Sequence, residues 1–218
     1  MNREWSELNK KMQVLLKKRD SFEEGVDTMI ELRDSLMATM EDLKTDLARV
    51  DLDAMPFINA DGYHSKNIAY SIWHIMRIED IVAHTLIADD EQIFFAKDYQ
   101  KRTGSPIITT GNELVKEEIS GFTSRLDIDE LYSYASDVKS STEKIIKGLS
   151  YDDLKMKIPN GRKERLISLN VVSTDESAEW LIDYWCGKDI RGLIQMPFSR
   201  HWIMHIEASL RIKNKIRP

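Results

Sequence analysis

Two histidines near the end of the chain have the spacing of metal ligands. In the segment His-Trp-Ile-Met-His, His201 and His205 are four residues apart, so a helix would place both imidazoles on one face, about one turn apart. Imidazole nitrogens bind zinc, nickel and other transition metals. The pair could therefore supply two ligands of one divalent ion. The same spacing also occurs among packed or surface histidines, and a metal site needs at least one further ligand.

The third ligand that we consider is His74. It lies within residues 67–88, the most apolar stretch of the chain, where burial of an ionisable group without a partner is costly. A hydrogen-bonded core histidine is the alternative interpretation. His84 follows ten residues later, about 15 Å further along a helix, and so cannot bind the same ion as His74. His64 precedes this stretch in a polar segment and is predicted to be a surface imidazole.

Three other side chains could take part in chemistry. Glu79 is five residues after His74 and would be rotated about 140° from it on a helix, so a structural role is favoured over that of a base. Arg77, three residues after His74, could bind an anionic substrate, but a surface salt bridge is the favoured interpretation. Cys186 could act as a soft ligand or a nucleophile. Because free cysteines are among the most buried residue types, we favour a packing role for it.

Composition excludes several function classes. The chain has 31 Lys and Arg against 37 Asp and Glu, a net charge of −6, and it lacks the positive field that drives non-specific nucleic-acid binding. No apolar run approaches the ~20 residues of a membrane-spanning helix, and the charged first residues do not form a signal sequence. One cysteine cannot form an intrachain disulfide, which suits a reducing compartment. We expect a cytoplasmic protein that binds neither membrane nor nucleic acid.

The apolar spacing predicts helices along most of the chain. They are expected up to residue 20 and over about residues 21–47, 67–88, 113–124, 127–148, 173–187 and 198–214. Ser21 and Ser173 each precede a glutamate by three residues, which is the spacing of a capping box at a helix start. Residues 155–173 differ, because alternating apolar residues flank the turn signal Pro159-Asn160-Gly161. This segment predicts a short β-hairpin.

Several of these motifs together resemble one known family. His74 within Ser-Ile-Trp-His-Ile-Met-Arg-Ile-Glu, followed much later by His201 and His205 on the last helix, resembles the DinB/YfiT-like superfamily of metal-dependent enzymes. The segments Leu-Ser-Tyr-Asp-Asp-Leu and Ile-Pro-Asn-Gly-Arg resemble the connection between that family's third and fourth helices. The resemblance covers roughly residues 29–213.

The resemblance implies an all-α fold: an up-down-down-up four-helix bundle in a single domain over residues 1–218. Against the family pattern, residues 1–20 are an N-terminal helical extension, and residues 173–196 are an insertion that adds a helix before the last one. The family often has Gly-Gln after its last histidine, whereas Ile-Glu follows His205 here. Contacts around the ligands are therefore expected to differ from those of the family.

The resemblance also implies that His74, His201 and His205 bind a divalent metal ion, nickel or zinc. Three neutral imidazoles leave positions open for water or substrate, as catalytic sites do. The implied protein is a metal-dependent enzyme, a hydrolase or a low-molecular-weight-thiol transferase acting on a small molecule, with its other catalytic residues unassigned. The alternative is a non-catalytic dimeric helical bundle with incidental or no metal binding. A homodimer is compatible with either function.

Overall fold

The fold is all-helical, as the sequence predicts. The computed structural model describes residues 2–217, and over that range it contains no β-strand. None of the helices in these residues has the length and apolar character needed to cross a bilayer. The α-helices are α1 (Arg3–Leu15), α2 (Phe22–Asp46), α3 (Arg49–Leu52), α4 (Ile68–Asp80), α5 (Ile93–Ala96), α6 (Tyr99–Thr103), α7 (Glu117–Thr123), α8 (Ile128–Lys147), α9 (Asn160–Ser168), α10 (Glu176–Cys186), α11 (Ile190–Gln195) and α12 (His201–Ile216).

Helix α4 is the central helix predicted from the apolar stretch. All thirteen of its residues are buried, which explains why the sequence there is apolar on nearly every side. The helix starts at an N-cap, because the Asn67 side chain accepts a hydrogen bond from the backbone nitrogen of Tyr70. The Asp127 side chain caps α8 in the same way, because it accepts a hydrogen bond from the backbone nitrogen of Glu130.

The central helix continues past α4 in a wider form. Residues Ile81–Ala88 form a π-helical segment, which ends at Asp89 with a left-handed φ of 59°. The last carbonyl groups of this segment are satisfied by a side chain from α9: Arg162 donates to the carbonyl oxygens of Leu86 and Ile87 at 2.9 and 2.7 Å. Uniform hydrophobicity predicts a helix here but not its π form.

Helices α2, α4, α8 and α12 pack around one apolar core. Helix α2 contacts α8 and α12, and α4 contacts the same two helices. The core between them is rich in aromatic rings; Trp73 makes edge contacts with Phe94 at 5.5 Å and Phe122 at 5.3 Å. These contacts are those of helices arranged around a common centre. The up-down-down-up order of their directions stays a prediction.

The N-terminal extension and the insertion both contribute to the interior. Trp5 of α1 is buried against α2, and its indole nitrogen donates to the Ser35 hydroxyl at 2.9 Å. A second apolar cluster joins the π-helical segment to α9, α10 and α11 through residues such as Leu166, Leu181 and Trp185. Neither segment is therefore a loose appendage.

The predicted β-hairpin over residues 155–173 is wrong. That segment contains a 3₁₀ turn at Asp153–Lys155 and helix α9, and its extended part makes a single isolated bridge from Lys157 to Asp189. Leu166 is buried but the adjacent Ile167 is half exposed, so the apolar residues cover one side of a helix. Pro159 occupies the N-cap of α9 rather than a hairpin turn.

Several helix boundaries also differ from the prediction. Helix α10 is capped by Asp175, whose carboxylate accepts from the Ser177 backbone nitrogen, so Ser173 is not the cap. Ser21 does occupy the N-cap of α2, but its hydroxyl donates to the Leu15 carbonyl oxygen instead of capping. The last helix is preceded by a π-helical turn over Met196–Arg200. The sequence does not predict the short helices α5 and α6.

Candidate metal centre

The structure brings the three predicted ligands together. One nitrogen each from His74, His201 and His205 lies within 4.8 Å of the other two. The ring centroids are 5.0 Å apart for His74 and His201, 4.9 Å for His74 and His205, and 4.7 Å for His201 and His205. The three residues are 5%, 8% and 4% exposed. Two helices therefore present three buried imidazoles to one point.

A loop over α4 fixes the orientation of His74. Its Nδ1 is 2.7 Å from the carbonyl oxygen of Thr110, and because a carbonyl only accepts, Nδ1 must carry the proton. That tautomer leaves Nε2 free to bind a metal, an arrangement common among metal-binding histidines. Tyr70 stacks on the imidazole at 5.4 Å and donates to the Gly111 carbonyl oxygen at 2.8 Å. Gly111 has a φ of 77°, and a Cβ there would lie 3.1 Å from the Tyr70 ring.

The other two histidines have unsatisfied nitrogens. Nδ1 of His201 and Nδ1 of His205 are buried and have no hydrogen-bond partner among residues 2–217. Burial lowers the pKa of His74 to about 4. It also lowers the pKa values of His201 and His205 well below 6.5, and repulsion from neighbouring histidines adds to the effect. The three imidazoles are neutral at pH 7, each with a lone pair, and they fit a divalent ion that prefers nitrogen ligands.

A buried ion pair holds α12 in register with α2 and α4. The Glu79 carboxylate accepts from the Trp202 indole nitrogen at 2.7 Å and from Arg33 at 2.6 and 2.9 Å. Arg33 also donates to the Phe198 carbonyl oxygen at 2.9 Å, just before α12 begins. Trp202 directly follows the metal-ligand candidate His201 in the chain. The structural role predicted for Glu79 agrees with these contacts.

The histidines face a cavity of about 290 Å³. Its wall includes one cation, Lys66, whose ammonium donates to the Leu114 carbonyl oxygen at 2.9 Å; burial lowers the pKa of this ammonium. The insertion reaches the cavity through Trp180, which is 52% exposed. The wall is completed by residues with aromatic, amide or thioether side chains, Tyr63, Tyr70, Asn112, Met196 and Met204. The cavity can hold a small molecule that carries an apolar part and an anionic group.

Arg77 does not reach this cavity. Its side chain is fully buried, where it donates to Asp80 at 3.3 Å, to the Tyr134 hydroxyl at 3.1 Å and to the Ile108 carbonyl oxygen at 2.7 Å. The predicted surface salt bridge is therefore wrong. The guanidinium instead joins α4 to α8 and to the segment before α7.

The remaining sequence candidates lie outside the three-histidine cluster. His84 pairs with Asp90 at 2.6 Å through Nδ1. His64 is half-buried with its ring 4.0 Å from that of Tyr63, so it is less exposed than a surface imidazole. Cys186 is half-buried beside the second core, and burial raises the pKa of its thiol, which disfavours the reactive thiolate.

The sequence alone did not predict the other residues that line the cavity. Lys66 and Tyr63 come from the turn before α4, Asn112 from the loop over it, and Trp180 from the insertion. No spacing rule connects these segments to the histidines.

Comparisons with known proteins support the fold alone. No family model matches the chain, and no curated protein matches it. Among solved structures, the chain is similar to a conserved protein from Enterococcus faecalis, with a TM-score of 0.55 and 14% sequence identity. The similarity covers 86% of this chain and 94% of the other.

Proposed function

We propose that this chain is a metal-dependent enzyme in which His74, His201 and His205 bind one divalent ion, nickel or zinc. The observation that carries the proposal is the convergence of three buried, neutral imidazoles within 4.8 Å beside a cavity. Two of them have unsatisfied buried nitrogens, which native structures rarely tolerate without a partner. A cation bound through those nitrogens would remove that cost.

The reaction we propose is hydrolysis or the transfer of a low-molecular-weight thiol, on a small-molecule substrate. When bound, a divalent ion on neutral ligands supplies Lewis acidity and lowers the pKa of bound water or thiol. The residues of the chain bind and orient the substrate. The Lys66 ammonium attracts an anionic group, the Asn112 amide can donate or accept a hydrogen bond, and Trp180 and Met204 exclude water from the inner cavity.

The proposal also covers the bundle topology and the cellular location of the protein. We infer a DinB/YfiT-like four-helix bundle of up-down-down-up topology, formed by α2, α4, α8 and α12; the contacts of α2 and of α4 with both α8 and α12 support it. A cytoplasmic location is consistent with one half-buried cysteine and no disulfide. The alternative is a non-catalytic dimeric bundle with incidental or no metal binding, and absence of metal from the purified protein would favour it.

The test is elemental analysis of untagged protein purified without added metal. We expect about one equivalent of nickel or zinc in the wild type and less than about 0.1 in His201→Ala. His84→Gln is the matched control, because His84 is a buried histidine outside the cluster. Circular dichroism should show the same helicity for all three proteins. Absence of metal from the wild type, even after reloading with both ions, would contradict the proposal, as would full metal content in His201→Ala.

A further inference from the structure

One tryptophan of the chain is half exposed, and it lies in the wall of the metal cavity. Trp180 is 52% exposed and lines the same concave space as the three candidate ligands. Isolated apolar side chains on a protein surface are common, but an aromatic side chain in a cavity can bury a large apolar area against a ligand. The other four tryptophans are each at most 2% exposed: Trp5, Trp73, Trp185 and Trp202.

The indole of Trp180 is held in place by its own helix, α10. Its Nε1 donates to the carbonyl oxygen of Ser177 at 2.9 Å. Its ring makes an edge contact with that of Tyr184, with the centroids 5.4 Å apart and 69° between the planes. Leu181 and Trp185 of the same helix are buried in the second apolar cluster. Because the only polar atom of the indole is used within the helix, the side chain presents apolar surface to the cavity in a fixed orientation.

Helix α10 also contacts the loop that orients His74. The Ser177 hydroxyl lies 3.3 Å from the carbonyl oxygen of Asn112. The Asn112 side chain accepts from the Thr110 hydroxyl at 2.8 Å, and the Thr110 carbonyl oxygen in turn binds Nδ1 of His74. The loop therefore positions both the indole and the first metal-ligand candidate.

The rest of the cavity wall suits a planar apolar group. Thioethers and aromatic rings pack favourably against such a group. A cavity of about 150 Å³ accommodates a benzene ring, so this cavity, at about 290 Å³, has room for one ring and a short polar group. No carboxylate among the described residues lines it, whereas the Lys66 ammonium does. The aromatic and thioether side chains beside Trp180 are those of Tyr63, Tyr70, Met196 and Met204.

We propose that Trp180 is a specificity-determining residue of this cavity, which packs against a planar aromatic group of the substrate while a short anionic group of the same molecule lies at the three histidines. The inference rests on the proposed metal site and names the substrate class: a single-ring aromatic compound with a short anionic group that can bind a metal. Offset or edge contact between two aromatic rings adds to the affinity that the buried area alone provides. An aliphatic ring of the same size lacks that contribution.

The test uses three chelators that share one zinc-binding group. Acetohydroxamate, cyclohexanecarbohydroxamate and benzohydroxamate are titrated calorimetrically into zinc-loaded protein. The preference of the wild type for benzohydroxamate over the cyclohexane compound should fall about fivefold in Trp180→Leu, which keeps an apolar side chain but removes the aromatic ring. Trp180→Phe should retain most of the preference. Intrinsic differences between the chelators are the same for each protein and cancel.

Acetohydroxamate and a second variant are the controls. Acetohydroxamate has no ring, so its affinity should change less than about twofold in Trp180→Leu. Ile167 is 50% exposed, much like Trp180, but does not line the cavity. Ile167→Ala should therefore leave all three affinities unchanged. Circular dichroism should show the same helicity for every variant, because each replaced side chain is half exposed.

The outcomes separate the role of Trp180 from the metal site. Binding of all three chelators, with the same preference in the wild type and in Trp180→Leu, overturns the role of Trp180 and leaves the metal site intact. A wild-type dimer in sedimentation velocity that Trp180→Leu converts to a monomer also overturns it, because a second copy of the chain then covers the indole.

Loss of zinc binding and of all hydroxamate binding overturns the proposed function and the substrate assignment that rests on it. In that case, quenching of tryptophan fluorescence by iodide is measured on metal-free protein with and without benzoate. Iodide reports on Trp180, because the other four tryptophans are buried, and Trp180→Phe is the blank. Protection of the wild type by benzoate supports an aromatic subsite at Trp180, and absence of protection overturns it.

Discussion

At the scale of single residues, the two nitrogens of the His74 ring have different functions. Nδ1 donates to the Thr110 carbonyl oxygen at 2.7 Å, which leaves Nε2 as the atom available to a metal or to a proton. Protonation there would bury a positive charge, and this is why burial, with repulsion from the Lys66 ammonium, depresses the pKa of His74 to about 4. The ring is thus held in the form that binds cations throughout the neutral range.

The same shift predicts how the metal-free protein responds to acid. A histidine whose pKa is lower in the folded state stabilises the fold fully above its unfolded pKa of 6.5, and this stabilisation is lost as the pH falls towards about 4. At pH 5 the loss from His74 is about 2 kcal/mol, because the unfolded chain has taken up a proton and the folded one has not.

The measurement is urea unfolding of chelator-treated protein at pH 7.5 and pH 5. Between those two values, the wild type should lose about 2 kcal/mol more stability than His74→Gln, which cannot take up that proton. The other histidines titrate in both proteins, so the part of their contribution that comes from burial cancels in the comparison. The part of the His201 and His205 shifts that His74 causes is present only in the wild type and adds to its loss. Equal losses in the two proteins would contradict the neutral, buried state of His74.

At the scale of helices, the site depends on the register between α4 and α12. Glu79 of α4 contacts both Arg33 of α2 and Trp202 of α12, and all three side chains are buried. The carboxylate is the point where three of the four long helices are joined by charge and hydrogen bonds. It therefore fixes the two-histidine face of α12 opposite His74.

Replacement of this carboxylate should weaken both the fold and the metal site. Glu79→Gln leaves the Arg33 guanidinium buried with only Glu143 as a charged partner, and breaking a buried pair costs about 3 kcal/mol. We expect zinc affinity, measured by competition with a chelator, to fall about tenfold because the ligands lose their orientation. Asp152→Asn removes an exposed pair with Arg19 and should change neither quantity. Unchanged zinc affinity in Glu79→Gln would contradict this positioning role.

Helix periodicity and the packing of distant segments explain how much of the site could be predicted from the sequence. The period of a helix relates His201 to His205 directly, and the apolar surroundings of His74 indicate burial, so the sequence is sufficient to nominate all three. Lys66 and Trp180 lie in a turn and in an inserted helix, whose positions depend on packing between distant segments. The hairpin prediction failed for a related reason: alternation of apolar residues near Leu166 does not distinguish a strand from one side of a short helix.

At the scale of the whole molecule, the metal site joins segments that are distant in the chain. His74 belongs to the central helix and His201 to the last one, and they meet only when the long helices have packed. The unfolded chain therefore has no comparable site. A ligand that binds only the folded state stabilises it according to the ratio of its concentration to its dissociation constant.

Metal binding should accordingly raise the melting temperature of the protein. At a free zinc concentration about 100 times the dissociation constant, the stabilisation is about 2.7 kcal/mol, which corresponds to an increase in Tm of roughly 5–10 °C for a chain of this size. His84→Gln should show the same increase, whereas His201→Ala, with one ligand removed, should show less than about a third of it. Differential scanning calorimetry with and without zinc measures the increase in Tm of each protein. An equal increase in His201→Ala would mean that zinc binds elsewhere on the folded chain, because no site that needs all three histidines could then account for the stabilisation.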